Sequence, residues 1–84
     1  MIAAAVDLGL DPEVAQHMVH HTILGAATLL DASGETAQVL RRNVTSPGGT
    51  TAAAIATMDE LAVHSAIVSA ITAARDRSRE LSGG

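Results

Sequence analysis

The sequence predicts an all-α protein, a helical bundle of four to five helices that interleaves with a second copy in a homodimer. Apolar residues recur at helical spacing between glycine- and proline-marked breaks, and no stretch alternates as a strand does. The 84 residues suffice for one domain, which buries only about 60–70% of its unfolded surface. Phe, Trp and Tyr are absent although 48% of the residues are hydrophobic, so a second copy is expected to supply the missing apolar contacts.

The N-terminal segment carries a helix end followed at once by a helix start. Residues 2–8 are predicted to be the end of a helix that Gly9 closes in the left-handed conformation. This helix begins abruptly, so we expect the chain to be cut within it. Asp11 is the expected N-cap of the next helix, Pro12 its first residue and Glu13 part of its first turn.

The second helix is predicted from about Pro12 to Ala32, and Ser33-Gly34 is its expected end. Its apolar residues cover a wide arc, which is typical of a helix sandwiched between neighbours rather than lying on one. They are Val14, Ala15, Met18, Val19, Ile23, Ala26, Ala27, Leu29 and Leu30.

Three further helices are expected. The third covers about Thr36 to Arg42, and a fourth starts near Thr50 after a loop at 43–49. The last covers about Val63 to Leu81, with an inward stripe formed by Val63, Ala66, Ile67, Ala70, Ile71 and Ala74. The sequence leaves open whether the last two helices are separate at 59–63, because "MDELAV" contains neither Gly nor Pro.

Charge and composition disfavour several classes of function. The formal net charge is −4, and no aromatic side chain is available to stack on a base, so nucleic-acid binding is not expected. The N-terminus lacks the basic region of a signal peptide, and no stretch is predicted to span a membrane. The absence of cysteine is compatible with the cytoplasm, where we expect the protein to be.

A histidine cluster at positions 17, 20 and 21 is predicted to be part of a polar helix face. His17 and His21 are four residues apart and therefore share one face, where two imidazoles can bind a transition metal. Glu13 and Gln16 lie on the same face, however, and no third ligand is fixed nearby. We therefore predict no metal site.

The segment "NVTSPGGTTAAAI", residues 43–55, is more polar than a helix-to-helix turn requires. Main-chain amides at the start of a helix lack intrahelical acceptors, and glycine lets a ligand approach them. Hydroxyl groups add further donors. The sequence thus favours an anion cup for one carboxylate or phosphate, built from Ser46, Gly48, Gly49, Thr50 and Thr51. The alternative, a proline-started turn followed by a threonine N-cap, stays open on physical grounds.

The same loop carries a family resemblance that covers essentially the whole chain. "VTSPGGTTAAAI", preceded by "LRRN" and followed by a helix that ends in "AARDRSRELS", closely resembles the pyrroline-5-carboxylate reductases, as does "GLDPEVAQHMVHHTILGAATLL". Nothing resembles the family's N-terminal Rossmann domain, which binds NADPH or NADH. The resemblance therefore identifies residues 1–84 with the C-terminal dimerisation and substrate-loop domain alone. The family usually has a glycine near position 62, where this chain has Ala62.

The resemblance implies functions for individual residues of the loop. In the family this loop holds the carboxylate of 1-pyrroline-5-carboxylate while NAD(P)H delivers hydride to the C=N carbon, which gives proline. The matching carboxylate-binding positions are Ser46, Gly49, Thr50 and Thr51. Thr51 is also the expected partner of the ring nitrogen, and Asn43 and Val44 match positions toward the nicotinamide.

The resemblance further implies a homodimer of interleaved helices, whose dimers often assemble into larger rings. A fragment of this kind is expected to be inactive by itself, because its cofactor domain is missing. The competing hypothesis is a free-standing helical dimerisation module whose loop is only structural. Whether NADH or NADPH is preferred depends on the missing domain.

Overall fold

The computed structural model describes residues 1–83, and all regular secondary structure within them is helical. Five helices follow one another: α1 (Ile2–Asp7), α2 (Pro12–Ser33), α3 (Ala37–Asn43), α4 (Thr50–Glu60) and α5 (Val63–Leu81). The predicted all-α class is confirmed. The chain divides into two units, Met1–Arg41 and a second that begins at Arg42, and the predicted loop lies in the second.

The end of α1 is formed by two hydrogen bonds around Gly9. The Gly9 N–H donates to the Val6 carbonyl at 3.0 Å, and the Leu10 N–H donates to the Ala5 carbonyl at 3.1 Å. This pair of bonds is the Schellman arrangement, and the φ of +112° at Gly9 makes glycine the suitable residue. Gly9 closes the helix as predicted, but α1 ends at Asp7, since Leu8 is the C-cap.

The ends of α2 follow the sequence signals closely. The Asp11 carboxylate accepts from the Glu13 N–H at 3.2 Å, Pro12 is the first helical residue, and Gly34 closes the helix at φ 71°. In the first unit, α1 packs against α2. Of the apolar residues predicted to be enclosed on α2, Ala15 is buried and Val19 is half-buried, whereas the others are exposed. The apolar arc of α2 is thus largely uncovered within one chain.

Helix α3 begins one residue later than predicted because Thr36 is its cap. The Thr36 hydroxyl accepts from the Val39 N–H at 3.2 Å, and the Thr36 carbonyl accepts from the Leu40 N–H at 3.1 Å. Threonine therefore satisfies an amide of the first turn from outside the helix. The side chains of Val39 and Leu40 are half-buried.

The structure answers the question that the sequence left open at 59–63, since α4 and α5 are separate. Their axes are bent by 56° at Leu61-Ala62, where Ala62 has φ 55° and ψ 40°. The Ala62 N–H donates to the Asp59 carbonyl at 3.2 Å, and the Ala62 carbonyl accepts the first bond of α5. No single helix within residues 1–83 has the length and apolar character to cross a membrane. Taken together, α4 and α5 meet that test as a bent pair.

The conformation of Ala62 predicts a stabilising substitution. A left-handed conformation costs an L-residue about 1–2 kcal/mol, whereas glycine adopts it freely but loses more entropy on folding. Ala62→Gly is therefore expected to raise the free energy of unfolding by about 0.5–1 kcal/mol in urea denaturation. Ala56→Gly, inside α4, is the matched control and should lower it by a similar amount. A lower midpoint for Ala62→Gly would contradict this account of the break.

Candidate functional site

A tight turn over residues 46–49 joins the end of α3 to α4. The Gly49 N–H donates to the Ser46 carbonyl at 3.0 Å, so Ser46 is the first residue of the turn and Gly49 the fourth. Pro47 occupies the second position and Gly48 the third, with φ +73° at Gly48. Proline followed by a residue of positive φ is the pattern of a type II turn. Proline and the first glycine are therefore explained by the backbone path alone.

Gly49 is required for a different reason, which is its close approach to Ser46. A Cβ atom built on Gly49 would lie 2.5 Å from the Ser46 Oγ and 3.2 Å from the Ser46 carbonyl oxygen. Its backbone is ordinary, because a φ of −82° is accessible to every residue. The second glycine therefore provides space for the Ser46 side chain.

The start of α4 leaves three main-chain amides without an acceptor among residues 1–83. Gly49 is the N-cap of α4, and no side chain caps the helix. The threonine N-cap, which was part of the alternative to the anion cup, is therefore wrong. The first helical bond runs from the Ala53 N–H to the Gly49 carbonyl at 3.1 Å. The amides of Thr50, Thr51 and Ala52 precede it and remain available. These amides lie at the N-terminus of α4, which is the positive end of the helix dipole and stabilises an anion.

The hydrogen bonds of the turn show which amides of the predicted anion cup are free in this conformation. The Gly49 amide is engaged in the turn, so it is not a free donor in this conformation. The Ala52 amide belongs to the free set, although the alanine side chain gives no signal of it in the sequence. Counting three residues from the N-cap identifies it, whatever its side chain.

The remaining predicted site residues lie beside the turn. Asn43 is the last residue of α3, and Val44 follows it with 62% of its surface exposed. Ser46 and Thr50 are exposed, whereas Thr51 is half-buried. Together with the turn glycines, they form one continuous segment, which we call the 43–52 loop.

The 43–52 loop has no charged side chain of its own. Between Arg42 and Asp59 the sequence contains no ionisable group, so a bound anion would be held by amide and hydroxyl dipoles. The two arginines that precede the loop, Arg41 and Arg42, lie in the last turn of α3, where they complement the negative end of its dipole. The loop is therefore suited to one small anion.

The histidine cluster forms a shallow surface pocket on α2. The rings of His17 and His21 lie 4.3 Å apart between centroids, and those of His20 and His21 lie 5.2 Å apart. Glu13 and Gln16 complete the lining of this pocket. Within residues 1–83, no three His, Asp or Glu side chains are placed to hold one metal ion.

Comparison with known proteins connects the whole chain to one family. The family profile described as "Pyrroline-5-carboxylate reductase dimerisation" matches residues 1–81. Pyrroline-5-carboxylate reductase of Arabidopsis thaliana is 42% identical over 92% of this chain, and that of Synechocystis sp. is 40% identical over 96%. Pyrroline-5-carboxylate reductase 1 of Bacillus subtilis is 41% identical over 90%. The chain spans 28%, 32% and 26% of these relatives, respectively.

Proposed function

Because the chain belongs to the pyrroline-5-carboxylate reductase dimerisation family, we propose that it is the C-terminal part of such an oxidoreductase. The complete enzyme reduces 1-pyrroline-5-carboxylate to proline with NADPH or NADH, the last step of proline biosynthesis. Residues 1–84 supply the dimer interface and the 43–52 loop that holds the substrate carboxylate. Since the chain covers about a third of its relatives, the remaining parts of the reaction belong to the rest of the protein.

The exposed apolar surface supports a homodimer in which helices of two copies interleave. Exposed apolar residues occur along both long helices and include Met18, Ile23, Leu29, Ile67, Val68 and Ile71.

The free amides at the start of α4 are the observation that carries the substrate proposal. The carboxylate of 1-pyrroline-5-carboxylate accepts from the amides of Thr50, Thr51 and Ala52 and from the Ser46 hydroxyl. The Thr51 hydroxyl accepts from the protonated ring nitrogen, which an amide N–H cannot do. Carboxylate and nitrogen are a few ångströms apart in this substrate, so one loop can orient both. The ring is thereby held with its C=N bond in a fixed direction.

We expect that residues 1–84 do not form a dinucleotide site by themselves. Within residues 1–83 there is no strand, and therefore no strand-to-helix glycine loop of the kind that binds a pyrophosphate. When bound in the complete enzyme, NAD(P)H supplies the hydride. Asn43 and Val44 lie at the edge of the 43–52 loop and are proposed to face the nicotinamide end of the cofactor.

A cofactor site outside residues 1–84 predicts the behaviour of the isolated chain. Residues 1–84 should show no saturable binding of NADPH or NADH in titration calorimetry and no reductase activity. The full-length protein should bind one of these cofactors and convert 1-pyrroline-5-carboxylate to proline. Micromolar affinity of the isolated chain for either cofactor would contradict the proposal, as would an inactive but folded full-length protein.

A second candidate function is a free-standing helical dimerisation module with a structural loop. The observation that favours it is the type II turn, since the turn and the Ser46 contact explain Pro47, Gly48 and Gly49 without a ligand. Gene context distinguishes the two functions. An upstream Rossmann domain in the same reading frame supports the reductase, whereas a native start codon at Met1 without such a partner supports the module.

A further inference from the structure

We propose that Gly49 is a positioning residue, whose missing side chain lets the Ser46 hydroxyl lie where it can donate to the substrate carboxylate. This inference rests on the proposed function. It follows from the distance of 2.5 Å between the Ser46 Oγ and the place that a Cβ on Gly49 would occupy. Real carbon and oxygen atoms do not approach so closely without a bond, so the hydroxyl can stay there only beside glycine.

The two neighbouring glycines of the turn can be separated by their geometry. Gly48 has φ +73°, and nothing lies within 4 Å of a Cβ built on it, so this residue is glycine for its backbone. Gly49 has φ −82°, which alanine adopts without strain, so the only obstacle at this position is Ser46. An alanine at 49 therefore tests the contact, and an alanine at 48 tests the turn.

The atom that must move on substitution of Gly49 is the Ser46 Oγ. The Ser46 carbonyl oxygen lies 3.2 Å from the built Cβ, which is tight, and it is held by its hydrogen bond from the Gly49 N–H. The hydroxyl makes no hydrogen bond within residues 1–83 and rotates about χ1 into another staggered position. We expect the turn to be retained while the hydroxyl leaves the position from which it is proposed to donate to the carboxylate. Gly49→Ala should consequently resemble Ser46→Ala.

A double-mutant cycle in the full-length reductase tests this inference. Ser46→Ala and Gly49→Ala are each expected to raise KM for 1-pyrroline-5-carboxylate roughly tenfold, with kcat changed less than about threefold, because one of several carboxylate donors is lost. The double variant should have the KM of Ser46→Ala alone, since without the Oγ only the contacts at 3.2 and 3.7 Å remain.

Gly48→Ala provides the control for a purely structural effect. It is expected to lower the melting temperature, because an L-residue at φ +73° is strained, and this loss should persist in the Ser46→Ala background. The inference would be overturned if the increases in KM caused by Gly49→Ala and Ser46→Ala multiplied in the double variant. A Gly49→Ala enzyme with unchanged KM would also overturn it. The proposed function would survive either result. An unchanged KM for folded Ser46→Ala would instead refute both the inference and the proposed function of Ser46.

Discussion

Replacing Thr51 by valine in a full-length reductase that carries this domain should lower kcat/KM for 1-pyrroline-5-carboxylate by roughly 10- to 150-fold. Valine keeps the β-branched shape but removes the hydroxyl that is proposed to accept from the ring N–H. Hydrogen bonds to charged groups contribute about 1.5–3 kcal/mol, which sets this range. Stability should change little, since the Thr51 hydroxyl caps nothing in α4. Steady-state kinetics with proline as the product gives the measurement.

Thr57→Val is the matched control for this experiment. It makes the same chemical change on the same helix. The hydroxyl that it removes donates to the Ala53 carbonyl of the same helix at 3.2 Å. We expect kcat/KM within twofold of the parent enzyme. If Thr51→Val also stayed within twofold while the fold remained intact, the 43–52 loop would be a turn and not a substrate site.

Ile71→Asp is expected to weaken the homodimer by roughly 10²- to 10⁴-fold in Kd. Ile71 lies on the apolar stripe of α5 and is 66% exposed in a single chain, so its burial must come from a partner. Full burial of an isoleucine contributes about 1.5–3 kcal/mol, and a two-fold symmetric interface contains the residue twice. Aspartate also brings a charge that is costly to remove from water, which adds to the loss. Sedimentation equilibrium of the chain measures the change.

Ser69→Asp introduces the same charge on the opposite, polar side of α5 and should leave the dimer intact. Circular dichroism of both variants is measured as well, because dissociation is expected to lower the helix content together with the mass of the sedimenting species. A parent chain that is a stable, folded monomer at micromolar concentration would contradict the dimer proposal. An Ile71→Asp chain with unchanged Kd would show that this stripe of α5 lies outside the interface.

Most helix ends could be predicted because their signals are local. Asp11 before Pro12 marks the start of α2, and Gly9 and Gly34 mark two ends, since each residue type suits one backbone conformation. The single-residue shift at α3 has the same local origin. Thr36 was counted as the first helical residue, whereas its hydroxyl acts as the cap from the position before it.

The position of the polar loop could be predicted from its composition, but its hydrogen bonds could not. Serine, glycines and threonines before an apolar helix indicated an anion site, and the structure places free amides at that helix start. Which amides are free depends on the turn geometry, because the same Gly49 N–H serves either the Ser46 carbonyl or a ligand. That choice is decided by whether the hydrogen bond of the type II turn forms, because an open turn of the same residues leaves this amide free.

The sequence by itself determined the helical class, the ends of α2 and the position of the polar loop, because periodicity, caps and turn residues act over a few positions. Only the tertiary structure decided the break between α4 and α5. Ala62 has no local preference for the left-handed region, and its strain of about 1–2 kcal/mol has to be offset elsewhere. Within the second unit α4 and α5 contact each other at the bend. The residue types around 59–63 therefore do not mark the break, which the backbone conformation of the folded chain sets.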